Sequence, residues 1–254
     1  MFRYLRIAIL LTILFVVAGN QWQTDKLFSS WEKPLWITIY PVLLDSDAQT
    51  RRYVDSLDSN DFSAISSFLK QQAARYGRQL KNPAVFQVAR PLTALPPGLP
   101  VENSGLKVAL WSLKMRWWSW RNGSQDDLVS EDIRMFVLYQ KDRGDGPLER
   151  SVGIKNGSYG LVNAVATREK SARNRIVIAH EMLHIFGASD KYEPYSGQPI
   201  SPDGLANPVQ NPLYPQQRAE LMAGRIAVSA NYWRYPPSLE SCAIGAQTAE
   251  EIGW

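Results

Sequence analysis

The chain has two histidines, His180 and His184, and Glu181 lies between them. On a helix, residues four positions apart lie on the same face one turn apart, so both imidazoles can bind one metal ion. Imidazole is a usual ligand of Zn²⁺, and a glutamate beside two such ligands can act as a general base toward water. The spacing therefore predicts a catalytic zinc site, with the two histidines as ligands and Glu181 as the base.

The residues around this motif predict a buried helix. Residues 175–186 contain no Gly or Pro, and Gly187 is a typical residue just beyond a helix end. Apolar side chains cover nearly the whole circumference, which favours a position in the protein centre. Burial of Glu181 and two imidazoles there costs on the order of several kcal/mol unless they have partners. A bound metal ion would be a partner for all three.

A catalytic zinc site usually has three protein ligands and one open position for water. Because the chain has no third histidine, we expect a carboxylate as the third ligand, or else the single cysteine, Cys242. We favour Asp190, because the chain can turn back at Gly187. Glu220 stays open as an alternative, because zinc peptidases of the thermolysin type (gluzincins) use a glutamate on a later helix. Six prolines within residues 194–215 argue against such a helix.

The two histidines and Glu181, followed by Gly187 and Asp190, resemble the extended signature of the metzincin zinc peptidases. In that family a third ligand follows the glycine at this spacing. It is usually His, and it is Asp in the snapalysin-like branch. Met222 resembles the methionine of the metzincin Met-turn, which lies beneath the metal. The resemblance covers about residues 174–225.

The resemblance implies a zinc metalloendopeptidase that acts on a peptide or protein substrate, with Zn²⁺ held by His180, His184 and Asp190. Tyr192 could stabilise an oxyanion or bind the metal, and a packing role in its loop is an equal alternative. An aspartate ligand gives zinc more negative charge than imidazole does, so bound water should be less acidic than with three histidines.

The segments before the zinc motif predict an α/β (α+β) fold. Strands are expected at residues 36–44, 84–89, 106–118, 133–139 and 159–166, and an amphipathic helix at residues 61–76. This layout resembles a metzincin-like zincin, in which a twisted mixed five-stranded sheet, an amphipathic helix and a buried active-site helix precede a small irregular C-terminal subdomain. The expected divisions are a linker at 19–35 and a metallopeptidase domain at 36–254, with an upper subdomain at 36–187 and a lower one, carrying the Met-turn, at 188–254.

The resemblance also implies a sheet edge that pairs with an extended substrate. Residues 159–166 are similar to the metzincin edge strand, and residues 133–139 are a second candidate. Backbone pairing binds peptides with little dependence on side chains, so specificity must come from pockets. Residues 225–235, which follow the predicted Met-turn, are expected to form the main specificity wall.

The N-terminus predicts export. Arg3 and Arg6 precede an apolar run over residues 7–18. That run is shorter than the roughly 20 residues of a membrane span, which favours a cleaved signal peptide at residues 1–18. An uncleaved membrane anchor through residues 7–18 stays open. We therefore expect a periplasmic or extracellular protein.

Composition bears on the partners, the disulfides and the size of the core. Loss of Arg3 and Arg6 with the signal would lower the formal charge from +4 to +2, which gives no ground for a nucleic-acid partner. A single cysteine excludes an internal disulfide, so stability must come from the core and the metal. The remaining chain is long enough for one sizeable core, and we expect a monomer.

Two other functions stay open. A non-catalytic, zinc-stabilised module of the cell envelope could bind glycan or protein through a cluster of tryptophans, although packing against the sheet is the favoured role of that cluster. The cluster comprises Trp111, Trp117, Trp118 and Trp120. Glu181 argues against the module, because a structural zinc site is normally closed by four ligands and needs no base. An amidase acting on a non-protein amide such as peptidoglycan would use the same chemistry.

Overall fold

The computed structural model of the chain describes residue 28 and residues 30–100, 104–123, 128–144 and 151–254. Residues 1–18, the predicted signal peptide or anchor, lie outside this part. Within it, a five-stranded sheet carries helices on both faces. None of the described helices combines the length and the apolar character that crossing a membrane requires.

The central sheet is mixed, as predicted. Its strands are β1 (Leu35–Leu43), β2 (Ala84–Val88), β3 (Ile133–Gln140), β4 (Val152–Ile154) and β5 (Tyr159–Val165), in the order β2-β1-β3-β5-β4. Strands β2, β1, β3 and β5 are parallel, and β4 runs antiparallel to β5. Side chains alternate across the sheet: Ile37 and Ile39 of β1 enter one core cluster, and Tyr40 and Val42 enter the other.

The path of the chain explains why helices cover both faces. The described helices are α1 (Ala48–Asp55), α2 (Ser63–Arg75), α3 (Gly105–Asn122), α4 (Ser171–Phe186) and, near the C-terminus, α5 (Ala246–Glu251). The connection from β1 to β2 and the connection from β2 to β3 run in opposite directions along the sheet. Connections between parallel strands are right-handed, so two connections that run in opposite directions place their helices on opposite faces of the sheet. Helices α1 and α2 therefore pack on one face and α3 on the other. Helix α4 shares the face of α2.

The strand predicted at residues 106–118 is wrong, because this segment is helix α3. The prediction relied on the β-propensity of its aromatic residues, and propensity of this kind is overridden by context. Met115 and Trp118 face the sheet, while Leu113 and Trp117 are exposed on another side of the helix. Apolar residues on two sides blur the helical period in the sequence.

Both candidates for the edge strand are also wrong, since β3 and β5 lie inside the sheet. The edge beside α4 is β4, where Val152 pairs with Leu161 and Gly153 pairs with Gly160. Three residues are too few for an alternating pattern to be recognised. Helix α1, between β1 and α2, was not predicted either.

After α4 the chain forms short elements, in line with the irregular C-terminal part that was expected. Strand β6 (Ala219–Glu220) pairs with β9 (Cys242–Ala243), and β7 (Ile226–Ser229) pairs with β8 (Tyr232–Arg234). Apolar residues of this region, including Leu221 and Ile252, belong to the same core cluster as α2 and α4. The two predicted subdomains therefore share one core.

Candidate metal centre

Helix α4 presents His180 and His184 to an open cleft and ends where the sequence predicted. Gly187 has a φ of 112°, in the left-handed region that glycine adopts without a steric penalty. The N–H of Gly187 donates to the carbonyl of His184, and that of Ala188 donates to the carbonyl of Leu183. This capping turn reverses the chain and directs Asp190 back toward the histidines.

Three potential ligand atoms meet at the floor of the cleft. His180 Nε2 lies 3.1 Å from His184 Nε2, and Asp190 Oδ1 lies 3.1 and 3.2 Å from these two nitrogens. Atoms bound at about 2.0 Å to a tetrahedral zinc ion are about 3.3 Å from one another. The triangle therefore has the size that a zinc ion requires. Within the described ranges, no other group of His, Cys, Asp and Glu ligand atoms converges in this way.

Two backbone carbonyls set the orientation of the imidazoles. The Nδ1 of His180 lies 3.0 Å from the carbonyl oxygen of Leu221, and the Nδ1 of His184 lies 2.8 Å from that of Ala188. A carbonyl oxygen only accepts, so each Nδ1 carries the hydrogen and each Nε2 presents a lone pair. Two lone pairs and a carboxylate oxygen at such short distances repel one another unless a cation lies between them. This donor set fits a metal ion, and such outer contacts are usual for zinc-binding histidines.

The charges of the site favour a cation at the same place. Without a metal, burial opposes protonation of His180, but the hydrogen bond that protonated Nε2 makes to Asp190 and the charge of Glu181 raise the pKa of His180 above the ordinary value. Partial burial would raise the pKa of Asp190, but hydrogen bonds from His180 and His184 in their protonated form lower that pKa strongly. The ionised Asp190 is therefore stabilised by positive charge beside it.

Glu181 is buried next to the ligand atoms, with 5% of the residue exposed. Burial raises the pKa of its carboxyl group, although the charges of His180 and His184 act in the opposite direction. The N–H of Gly153 hydrogen-bonds to this carboxylate, whereas Glu181 Oε2 has no hydrogen-bond donor within the described ranges. Oε2 of Glu181 is thus available to accept a proton.

Strand β4 packs directly on α4 because residue 153 is glycine. A Cβ at this position would collide with the carbonyl oxygen of Glu181 and would lie 2.9 Å from the Cβ of His184. Only glycine allows the backbone to come this close. Sequence analysis missed Gly153, because β4 is too short to recognise.

The turn between β6 and β7 supplies carbonyl groups to the site. The carbonyl of Leu221 contacts His180, and the carbonyl of Met222 accepts a hydrogen bond of 3.1 Å from the N–H of Lys191, the neighbour of Asp190. Met222 itself is fully buried. The methionine singled out in the sequence therefore lies in a turn that contacts the histidine and the aspartate segments alike.

Glu220, the alternative ligand, belongs to the framework of this turn. Its carboxylate accepts hydrogen bonds from Ala223 N at 2.9 Å, Gly245 N at 3.2 Å and Thr248 Oγ1 at 2.8 Å. The residue is fully buried, and burial raises the pKa of its carboxyl group despite these donors. Neither Glu220 nor the buried Cys242 joins the group of ligand atoms.

Glu251 of α5 fixes the segment that carries Asp190. Ser189 donates to the Glu251 carboxylate through its N–H at 2.9 Å and its hydroxyl at 2.8 Å, and Lys191 Nζ lies 2.7 Å away. Partial burial opposes ionisation, but Lys191 and Ser189 lower the pKa of Glu251. Both neighbours of Asp190 are thus tied to the C-terminal helix. The sequence carried no signal for this contact, since Glu251 is remote from the motif.

The cleft beside the ligands has a volume of about 490 Å³ and lies between β4, α4 and the segment after the turn. Arg225 and Tyr235, at the two ends of the segment expected to form the specificity wall, both line it, and their role in specificity stays a prediction. The Arg225 guanidinium carbon lies 4.5 Å from the ring centre of Tyr192 and 4.7 Å from that of Trp233. Tyr192 lines the cleft as well, and its contact with substrate or metal stays a prediction.

No protein-family model and no curated protein matches the chain. Among solved structures, the chain is similar to one described as "Structure of a chaperone-substrate complex", with 12% identity and a TM-score of 0.39. The similarity covers 87% of this chain and 33% of that chain, so this chain spans about a third of its length. A TM-score this low carries no argument about fold or function. The metzincin resemblance remains a prediction from the motif.

The residues at the floor of the cleft could bind a metal ion and activate a water molecule. Two neutral imidazoles and a carboxylate can hold a divalent cation, with one side open to the cleft. A second carboxylate, Glu181, stands beside that position with one free oxygen. A set of this kind is suited to activate water for attack on a substrate in the cleft.

Proposed function

We propose that the protein is an exported zinc metallopeptidase of the metzincin type, which hydrolyses peptide bonds. The observation that carries the proposal is the triangle of His180, His184 and Asp190 ligand atoms, with sides of 3.1 to 3.2 Å, beside the buried carboxylate of Glu181, whose Oε2 has no hydrogen-bond partner within the described ranges. A structural zinc site would be closed by a fourth ligand and would not need a buried base. The geometry therefore favours an enzyme over a zinc-stabilised binding module.

His180, His184 and Asp190 would hold the metal. Bound zinc supplies Lewis-acid activation of water and of a scissile carbonyl group. Glu181 accepts a proton from the attacking water at Oε2 and delivers it to the nitrogen of the leaving amine. The N–H of Gly153 keeps the Glu181 carboxylate oriented during both transfers. The raised pKa of Glu181 makes its carboxylate a stronger base, so Glu181 can hold the proton between the two transfers.

The cleft suits an extended peptide. Strand β4 borders it, and no strand within the described ranges pairs with the outer edge of β4. A free strand edge binds an extended chain through backbone hydrogen bonds, while pockets select side chains. The wall with Arg225 and Tyr235 would provide such a pocket. This supports a peptide substrate, although the same catalytic groups would serve an amidase.

The test is Glu181→Gln, compared with the wild type for zinc content and for hydrolysis of a fluorogenic peptide library. We expect one zinc ion per chain in both proteins, and a rate that is lower by about 10²–10⁴-fold in the variant, which is the usual contribution of a general base. Glu169→Gln, at an exposed acid just before α4, is the matched control and should keep full activity. Full activity of zinc-loaded Glu181→Gln, or a wild type that binds no zinc, would overturn the proposal.

A further inference from the structure

Helix α3 carries a row of large apolar side chains in solvent, here called the α3 stripe. The stripe consists of Leu106, Leu110, Leu113, Trp117 and Trp120, and each is between 51% and 71% exposed. Spacings of three and four residues put all five within about 40° of one line along the helix. They are five of the thirteen large apolar side chains that are exposed in the described part of the chain.

The stripe is not the face that holds α3 to the protein. The opposite face packs on the sheet through Met115 and Trp118, and the Trp118 ring lies 4.8 Å from the ring of Phe136. The fold therefore already uses one apolar side of the helix. A second, regular and contiguous apolar face in solvent is typical of an interaction surface.

Basic side chains flank the stripe on both sides. In helical projection Lys107, Lys114 and Arg121 lie along one side and Arg116 along the other, and all four are exposed. The helix contains no acidic residue, and the nearest acids in the sequence are Glu102 and Asp126. The Arg121 guanidinium lies 5.5 Å from the ring centre of Trp117, so charge and aromatic surface are in contact.

These basic residues indicate which kind of partner could cover the α3 stripe. A second copy of the chain, packed stripe against stripe, would bring eight like charges together, which is unfavourable across an interface. An anionic lipid surface offers the complement of both features, since its headgroups attract the cations while its acyl boundary accepts Leu and Trp. Tryptophan in particular is enriched at the depth of the headgroups.

We propose that α3 is a membrane-surface helix, with the α3 stripe inserted into the interface of a bilayer that contains anionic lipids. The stripe is about 21 Å long at 1.5 Å per residue, and such helices bury their apolar face about 5–10 Å deep. Helices α3 and α4 lie on opposite faces of the sheet, so the helix that carries the histidines is separated from the proposed bilayer by the sheet. The inference does not depend on the proposed function.

A fluorescent label on the stripe tests the proposal in the full chain. Leu113→Cys can be labelled selectively with an environment-sensitive dye, because Cys242 is buried and burial raises its thiol pKa to about 12. Val209→Cys, at an exposed loop position with 87% exposure, is the matched control. With vesicles of equal phosphatidylcholine and phosphatidylglycerol, we expect a blue shift and quenching by brominated lipid at residue 113 and none at residue 209. Leu106→Cys repeats the test if Leu113→Cys fails to fold.

The basic flank is tested by Lys114→Gln combined with Arg121→Gln in the labelled chain. At about 1 kcal/mol, or about fivefold, per cation near an anionic surface, affinity for these vesicles should fall by about 25-fold. Lys70→Gln combined with Lys81→Gln, at exposed positions outside α3, should leave affinity unchanged.

Three results would overturn the inference. The first is no change at residue 113 with any vesicle, and the second is an equal change with vesicles of phosphatidylcholine alone. The third is a label that is already shielded without vesicles: shielding that grows with protein concentration would identify a second copy as the occupant, and shielding independent of concentration would identify another segment of the same chain. Because the label reports on α3 itself, vesicle binding through residues 7–18 cannot mimic the expected result.

Discussion

The histidines of the candidate site are prepared for a cation before any cation binds. The carbonyls of Leu221 and Ala188 each engage an Nδ1, so both Nε2 lone pairs face Asp190 Oδ1. A water molecule or a proton can relieve this repulsion only in part, whereas a divalent ion satisfies all three atoms together. Asp190 supplies the negative charge among the three candidate ligands. Its loss should therefore reduce metal affinity more than the loss of either carbonyl contact to an imidazole would.

Asp190→Ala should therefore weaken zinc binding by more than about 100-fold, the upper end of the effect found for outer contacts of zinc sites. Asp190→His should restore much of the affinity, because imidazole is an equally suitable zinc ligand. A competitive zinc titration measures both, with Asp203→Ala, an exposed acid in the same segment, as the control. Unchanged zinc affinity in Asp190→Ala would show that the third ligand lies elsewhere.

Two elements that are distant in sequence hold the candidate base and the candidate ligands in position. Strand β4 reaches Glu181 through Gly153, and helix α5 reaches both neighbours of Asp190 through Glu251. Neither element contributes a ligand of its own. Each restricts the backbone that carries Glu181 or Asp190. Contacts of this kind hold the side chains of a site in the geometry that they need.

Gly153→Ala should destabilise the fold, because the added methyl group meets the carbonyl oxygen of Glu181 and neither backbone can yield freely. The expected loss is about 1–3 kcal/mol in the free energy of unfolding, as for an overpacked core, and peptidase activity should fall with it. Denaturant unfolding measures the stability. Gly98→Ala, where a Cβ has open space, should be neutral. An equally stable and active Gly153→Ala protein would contradict the close packing of β4 on α4.

Glu251→Gln should lower stability in a pH-dependent way. The pKa of Glu251 is lower in the folded chain than its ordinary value of 4.5, so ionised Glu251 stabilises the fold above that pH. The contribution is lost as pH falls through the folded-state pKa, where the protonated acid resembles Gln. In the metal-free chain, the difference in Tm between wild type and variant should be largest near pH 7 and should vanish in strong acid. Glu250→Gln, at an exposed neighbouring acid, is the matched control, and its Tm at pH 7 should stay close to that of the wild type.

The whole molecule joins the candidate site to one continuous core. Buried residues of the sheet, of α2 and α4, and of the C-terminal elements belong to one cluster, so we expect α4 and the C-terminal wall of the cleft to unfold together. A metal ion held by α4 and by the segment after it would connect both parts. Its binding free energy would then add to the stability of the entire chain.

Chelation should lower the melting temperature of the protein. Free zinc at 1,000 times its Kd stabilises the folded state by about 4 kcal/mol, which corresponds to a Tm difference of roughly 10 °C for a chain of this size. Calorimetry with EDTA and after return of zinc measures the shift, and Asp190→Ala should show a much smaller one. An identical Tm with and without chelator in the wild type would argue against a resident metal.

Local patterns were enough to locate the helix of the two histidines and most of the sheet. The helix of His180 and His184 and its end at Gly187 depend on neighbours within a few positions, and the strands near residues 36–44 and 133–139 are dense apolar runs. Asp190 could be inferred because a turn of known type separates it from the motif. Local pattern also explains the wrong prediction for α3. Its apolar residues lie on two faces of the helix, one packed on the sheet and one exposed, so the helical period is not visible in the sequence.

The remaining features follow from contacts between distant parts of the chain. Gly153, Glu220 and Glu251 gain their roles from Glu181, Gly245 and Ser189, respectively, and each of these pairs is separated by more than twenty positions. Such contacts depend on which elements pack together, and they leave no periodic trace in the sequence. Residue types and short spacings therefore predicted the candidate ligands and the candidate base, whereas packing decided which backbone groups orient them and which face of α3 remains in solvent.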